Sequence, residues 1–468
     1  MSVETAQSVR ISLQQRLFEP VDIGFLISFR ILLGGLLLWE IWLFFKYGLV
    51  ERYFVEPTFH FTYLGFGWVK PWPSAGMTLH FTVLGICAAF ILAGFAYRLV
   101  MALFCLGFTY VFLLEKARYM NHFYLIILVC GLLALMPAHS RWAMDAWLRP
   151  AIRRTHVPTW MLWLLRFQFG VVYFFSGLAK WHPDWLSGRV MGQMLAYKTD
   201  IPFVVTLAAD ESAIMFMSYS ALLFDLGIVP LLLWRPLRIP AMLVMLIFHS
   251  CNVVLFNIDI FPYLMIGATV ILFAPEWFSF GRLKSKQHHT HLATDKTGSD
   301  QGASRTRRRV TMVFLGIHVT LQVLIPLRHY AYPGDASWTD EGQTFSWRML
   351  MRVKRGETPQ FPVRYVLHGK AYQGKIPQPP DPNAWQDHWQ ATKILLDPDM
   401  VMQFVQMNAD ELRSQGATNI DIRAIIPVSL NGRPPQLLID PEVNLAQIER
   451  SLWPKTWVTD FQPQRPAD

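Results

Sequence analysis

The sequence predicts a multi-span α-helical membrane domain of about nine spans followed by a smaller α+β exported domain. Three observations carry this. Of the 468 residues 53% are hydrophobic, with 18 Trp and 34 Phe, more than a soluble chain of this size normally uses. The apolar residues gather in runs near the roughly 20 residues that cross a bilayer. Beyond Ala331 the long runs stop, and charged and turn-forming residues return.

The runs fall at 23–45, 76–96, 98–115, 122–138, 160–179, 213–234, 240–256, 260–275 and 310–327. The segment before the first run is polar and lacks a cleavable signal pattern, so that span is expected to stay in the mature chain. Residues 47–75 form an aromatic, Pro-containing loop with Trp68 and Trp72, side chains that favour a membrane interface. The expected division is a membrane domain over 1–280 that carries the chemistry, a basic linker over 281–309, a last span over 310–330 and an exported domain over 331–468. The linker is polar and basic and reads as flexible. Its His288-His289-Thr290-His291 has metal-ligand character but no second cluster nearby, so no metal is expected. In the last part, helical patterns cover 383–396 and 398–414. The run Ile420–Leu430, then Asn431-Gly432, then a second run to Ile439, predicts a hairpin.

The net charge of +9 belongs to the membrane part, because acids and bases nearly balance beyond Arg328. Arg10, Arg16, Arg98, Arg141 to Arg154, Arg235, Arg238 and Arg282 to Arg309 fall on the same side as the N-terminus in a nine-span topology. Lys46, Arg52, Lys70, Lys116, Arg118 and Arg189 form a thinner scatter on the other. The richer side is expected to be cytoplasmic, which exports the C-terminal domain. Topology thus accounts for the charge, and no nucleic-acid partner is called for. Cys87, Cys105, Cys130 and Cys251 all lie in spans, so the exported domain folds without disulfides. It also lacks an Asn-x-Ser/Thr acceptor, which points to a bacterial inner membrane.

The chemistry centres on Lys180, which closes the uncharged run Phe167–Ala179. An ammonium at the edge of hydrocarbon is costly, so a neutral amine, a base, becomes accessible there. The plainer alternative is a lysine that snorkels to the interface. Asn121-His122 opens span four and His249 lies near the end of span seven, both on the side of the exported domain. Arg30 and Asp225, inside spans, read as structural pairs, although intramembrane charges are functional by default. A phosphate-cradling Gly loop, a nucleophile elbow and a Cys-x-x-Cys motif are all missing.

Four stretches resemble the vitamin K-dependent γ-glutamyl carboxylases, whose bacterial relatives carry the horizontally transferred transmembrane (HTTM) domain. They are Asn121-His-Phe-Tyr-Leu125; Tyr173-Phe-Phe-Ser-Gly-Leu-Ala-Lys180 with Asp184-Trp185; His249–Asn252 with Phe261-Pro-Tyr263 and Pro275-Glu-Trp277; and Trp338-Thr339 with Phe345-Ser-Trp347. The resemblance implies that Lys180 deprotonates vitamin K or menaquinone hydroquinone. Oxygen then adds, a strong alkoxide removes a γ-proton from a glutamyl side chain, carbon dioxide captures the carbanion, and the quinol leaves as epoxide. It implies that Asn121 and His122 steady charged intermediates, that His249 and Met349 line the quinone pocket, and that Ser346 and Trp347 meet the glutamyl substrate. Implied partners are membrane lipid, quinone and an exported Glu-containing protein. The chain departs from the animal enzymes at Asp340–Phe345, with less tyrosine, and at Arg348, where they carry an acidic residue. Two alternatives stand beside this reading: quinol epoxidation without carboxylation, and a non-enzymatic transporter or scaffold, although no inverted repeat is visible.

Overall fold

A computed structural model describes residues 13–198, 200–256, 258–273, 298–376, 390 and 393–463. In chain order its main helices are α1 (Gly24–Lys46), α2 (Ser74–Ala93), α3 (Tyr97–Leu114), α4 (Asn121–Ala134), α5 (Thr159–Lys180), α6 (Arg189–Ala196), α7 (Glu211–Leu233), α8 (Arg238–Phe256), α9 (Phe261–Gly267), α10 (Thr269–Leu272), α11 (Gly298–Leu327) and α12 (Pro398–Ser414). Among the described residues seven helices are long and apolar enough to cross a membrane: α1, α2, α3, α5, α7, α8 and α11. The protein is therefore a membrane protein with a smaller C-terminal α+β domain.

Two of the nine expected spans fall short of a full crossing. At 14 residues α4 extends about 21 Å, against a hydrocarbon core of about 30 Å. Pro137 explains its early end, since a residue before proline leaves the helical region. The run 260–275 breaks between α9 and α10, where the Thr269 hydroxyl donates to the Ile266 carbonyl at 2.6 Å. Residues 274–275, Pro275-Glu-Trp277 and the triple-histidine cluster lie outside the described residues, as does most of the expected helix over 383–396.

Helix α1 packs along α2, α2 on α3, α3 on α4, α5 on α7 and α7 on α8. A two-stranded ribbon, β1 (Pro20–Asp22) with β2 (His156–Pro158), ties the start of α1 to the start of α5. Among the described residues Arg30 pairs with no carboxylate, contrary to the structural ion pair expected for it. Its guanidinium donates to the carbonyls of Ile91, Leu92 and Trp142 and so satisfies the C-terminal end of α2, where a cation suits the helix dipole.

Among its described residues the C-terminal domain holds two three-stranded sheets. One has the order β3 (Lys354–Gly356), β7 (Pro427–Leu430), β8 (Gln436–Leu437); the other β5 (Lys370–Lys375), β4 (Pro362–Leu367), β6 (Thr418–Ile422). All pairings are antiparallel. The run Ile420–Leu430 is thus two strands in different sheets. The expected hairpin is present as β7–β8, with Asn431 and Gly432 at φ +53° and +75°, values that Asn and Gly tolerate best. Helix α12 starts where expected, with Pro398 in its first turn and the Asp397 carboxylate accepting from Asp399 N at 2.9 Å. Its Met400, Val401, Phe404 and Val405 are buried with Phe361, Val363, Ile420 and Ile422 in the domain's core.

Charge-assisted bonds seat this domain on loops of the membrane part. Lys116 Nζ lies 2.8 Å from Asp397 and 2.7 Å from Asp399. Arg450 donates to Asp399 and to the Thr62 carbonyl, each at 2.9 Å, and Thr62 N donates to Gln403 Oε1 at 2.9 Å. Such pairs fix orientation as well as adding energy.

Candidate functional site

Lys180 is the last residue of α5 and is only 4% exposed. Ser176 stands one turn earlier on the same face, and Asp225 faces both from α7. Lys180 Nζ donates to Asp225 Oδ2 at 2.7 Å and to Ser176 Oγ at 2.8 Å, while the Ser176 hydroxyl donates to Asp225 Oδ2 at 2.7 Å. Gly177 makes this possible. A Cβ there would lie 2.7 Å from the Leu226 side chain and 3.1 Å from its backbone nitrogen, so only glycine lets α5 and α7 come this close. The lone amine expected from the sequence is instead one corner of a closed triangle. The Trp185 ring lies 5.1 Å from Nζ, and its indole N–H is taken by the Ser218 carbonyl at 2.9 Å.

Next to the triangle opens a cavity of about 530 Å³ with mostly apolar walls from α5, α7 and α8. Asn121, His122, Lys180, His249 and Met349 all line it. His249 Nε2 shares a hydrogen bond of 2.8 Å with the Tyr173 hydroxyl, while its Nδ1 and His122 Nε2 are buried without a hydrogen-bond partner among the described residues. Buried imidazole nitrogens are normally satisfied, and an orphan in a residue that lines a cavity marks a place where a ligand atom could complete the bonding. Asn121 is steadied by Tyr119, whose hydroxyl donates to Asn121 Oδ1 at 2.9 Å and accepts from Phe345 N at 2.7 Å.

That last bond brings in the segment 340–350 of the C-terminal domain. Asp340, Phe345, Trp347 and Leu350 all have φ between +54° and +62°, a conformation costly for bulky side chains. Strain on this scale survives only where the surroundings impose it, and here the segment forms a partition. Tyr119, Asn121, Arg348 and Leu350 line the apolar cavity on one side and a second cavity of about 500 Å³ on the other. The second one is cationic: Lys116, Lys198, Arg348, Arg352, Lys354 and Lys393 line it against Asp340 and Asp397. Arg348 is held in place by Gln343 Oε1 at 2.9 Å and Ser337 Oγ at 3.0 Å. Burial pushes Lys354 down to about 8 despite the nearby Asp340 carboxylate. Burial would raise Asp340, but Arg352 and Lys354 outweigh it and hold the carboxyl down to about 2.

The two remaining expected residues line neither cavity. The Ser346 hydroxyl donates to the carbonyl of Gly342. Trp347 is fully buried and stacks on Tyr124 with centroids 5.0 Å apart. They hold the partition against the membrane helices, and it is Arg348, Met349 and Leu350 that reach open space. Sequence reasoning missed Ser176, Tyr173 and the cationic cavity, and it gave Asp225 no chemistry. For Asp225 the signal was available, as a lone acid in an apolar span. The cationic cavity had none, because its members are scattered from Lys116 to Asp397.

A second contact reaches the loop after Lys180. Arg433, within the β7–β8 connection, grips Asp184 with both terminal nitrogens, at 2.6 and 2.5 Å, and Asn431 adds a bond of 2.7 Å. Burial would raise Asp184, but the bonds from Arg433 and Asn431 lower it. Asp184 precedes Trp185, so the C-terminal domain fixes the wall beside the amine.

An integral membrane protein with a buried Lys–Asp–Ser triangle facing a greasy chamber is the class that fold and site define. Comparison with protein families specifies it further: residues 18–277 match the HTTM domain, and residues 307–464 match the vitamin K-dependent gamma-carboxylase, lumenal domain. The first match alone covers more than half of the chain. The chain belongs to the vitamin K-dependent gamma-carboxylase family. No solved structure matches it.

Proposed function

We propose that this protein is a membrane γ-glutamyl carboxylase of the vitamin K type, using reduced vitamin K or menaquinone with oxygen and carbon dioxide. The observation that carries this reading is the apolar cavity lined by Lys180, His122 and His249, two of whose imidazole nitrogens are buried without a hydrogen-bond partner among the described residues. Its size and apolar walls fit a quinol ring, whose hydroxyl groups would meet the unpaired His122 and His249 nitrogens. When bound, the reduced quinone and oxygen supply the strong base that removes the glutamyl γ-proton, and the quinone leaves as epoxide. The chain's own residues do the rest. Lys180 takes a hydroxyl proton as general base. Asn121 and His122 donate toward negative charge, and the apolar walls exclude water that would quench it. Met349 packs against the ring.

The cationic cavity suits a carboxylate-bearing acceptor, a glutamyl residue of an exported protein, and it shares a wall with the first chamber. Ser346 and Trp347 act by holding that wall in its strained shape. The excess of basic residues on the N-terminal side supports a C-terminal domain exported across a bacterial inner membrane.

The test uses purified protein with reduced menaquinone or vitamin K, oxygen, labelled bicarbonate and a Glu-rich peptide. Epoxide and peptide-bound label are both expected, and both vanish in Lys180→Ala. Epoxide without label would reduce the function to quinol oxygenation. Epoxide undiminished in Lys180→Ala would remove the lysine from the chemistry. Absence of both products with every quinol tried would favour a transporter or scaffold.

A further inference from the structure

Asp225 is the one charged residue between Ala213 and Trp234, in the middle of a span where a carboxylate is costly. It is held there by two donors, Lys180 and Ser176, at 2.7 Å each. An ammonium bound to a carboxylate cannot accept a proton, so the amine must first give one up. The amine is buried, and the nearest acceptor is the carboxylate already touching it. Passing the proton across converts an ion pair into a neutral acid and a neutral amine with no change in net charge. That is the one kind of transfer a low-dielectric site permits cheaply.

We propose that Asp225 is the proton partner of Lys180, taking the ammonium proton onto Oδ2 and leaving the amine lone pair free for a proton from the ligand. One N–H bond breaks and one O–H bond forms at Asp225; a new N–H bond then forms at Lys180 as a hydroxyl in the cavity loses its proton. Lys180, Asp225 and the ligand together keep constant charge. Asp225 is on this view a positioning residue, and the inference rests on Lys180 being the base.

Other titratable groups near Asp225 are less well placed. From α5, Tyr173 is engaged with His249 of α8 at 2.8 Å. His122 of α4 and Cys251 of α8 line the same cavity, and Arg348 reaches it from the partition. Among the described residues Lys180 is the charged group that touches Asp225.

Full-length protein in lipid nanodiscs, given reduced menaquinone with oxygen excluded, provides the test. Difference infrared spectroscopy on quinol binding reads the C=O stretch of a protonated carboxyl. Wild type is expected to gain this band, aspartate-specific 13C labelling to shift it, and Asp225→Asn to lack it. Absence of the band in wild type, an unshifted band, or its persistence in Asp225→Asn overturns the inference. Where Asp225→Asn does not fold, the labelled wild-type band decides alone. With oxygen admitted, wild-type epoxide formation is expected to vary little between mildly acid and mildly alkaline pH, because the proton moves internally. Asp225→Asn must release it to water and loses about one decade of rate per pH unit on its acid side. Superimposable profiles contradict the proposal. An active Lys180→Ala would instead overturn the base assignment itself, whatever Asp225 does.

Discussion

Lys180 was legible because a cation is conspicuous after an apolar run, whereas its setting was not, since Ser176 looks ordinary and Asp225 lies 45 positions away. Each corner of the triangle has its own consequence. Ser176→Ala removes one acceptor for the amine and one donor to Asp225 but leaves the ion pair, so epoxide formation is expected to fall without vanishing. An unchanged rate would make the hydroxyl a bystander. Asp340 supports a pH prediction. Its carboxyl sits near 2 in the folded protein against 3.8 ordinarily, so the stabilisation is present above about 4 and lost as pH falls through about 2. The difference corresponds to about 2 kcal/mol. Thermal melts of wild type and Asp340→Asn should differ by a constant amount down to about pH 4 and converge at lower pH. A gap that persists at pH 2 would contradict the assignment.

Helices whose apolar runs exceed a bilayer's thickness were readable from composition, and α12 from its cap and periodicity. The short α4 and the broken α9–α10 were not, because hydropathy counts apolar residues and does not register that Pro137 and the Thr269 hydroxyl interrupt a helix. Nor could it show which helices touch. The crossing of α5 and α7 depends on Gly177, and adding one methyl group there should force them apart. Gly177→Ala is expected to cost about 1–3 kcal/mol and to lengthen the Lys180–Asp225 contact. A lowered melting temperature together with reduced quinol binding would bear this out. Wild-type values of both would show that Leu226 yields instead.

The two-part architecture was evident from where the apolar runs stop, but the way the parts meet was hidden, because every contact is long-range. The Arg433–Asp184 pair shows what that meeting does: a turn of the C-terminal domain grips the short helix Pro183–Leu186, which carries Trp185 beside the amine. Arg433→Ala leaves the Asp184 carboxylate without its cation and with Asn431 as its remaining side-chain donor, at an expected cost below the ~3–5 kcal/mol of a fully uncompensated buried charge. The coupling can be measured by a double-mutant cycle with Asp184→Ala, where additive effects would rule out the clamp. The central claim, that a reduced quinone binds in the apolar chamber against Lys180, is tested most directly by an experimental structure in nanodiscs with reduced menaquinone. Density for the ring is expected between His122 and His249, with a ring oxygen in hydrogen-bonding reach of Lys180 Nζ. A quinone bound elsewhere, with this chamber filled by lipid acyl chain, would contradict it.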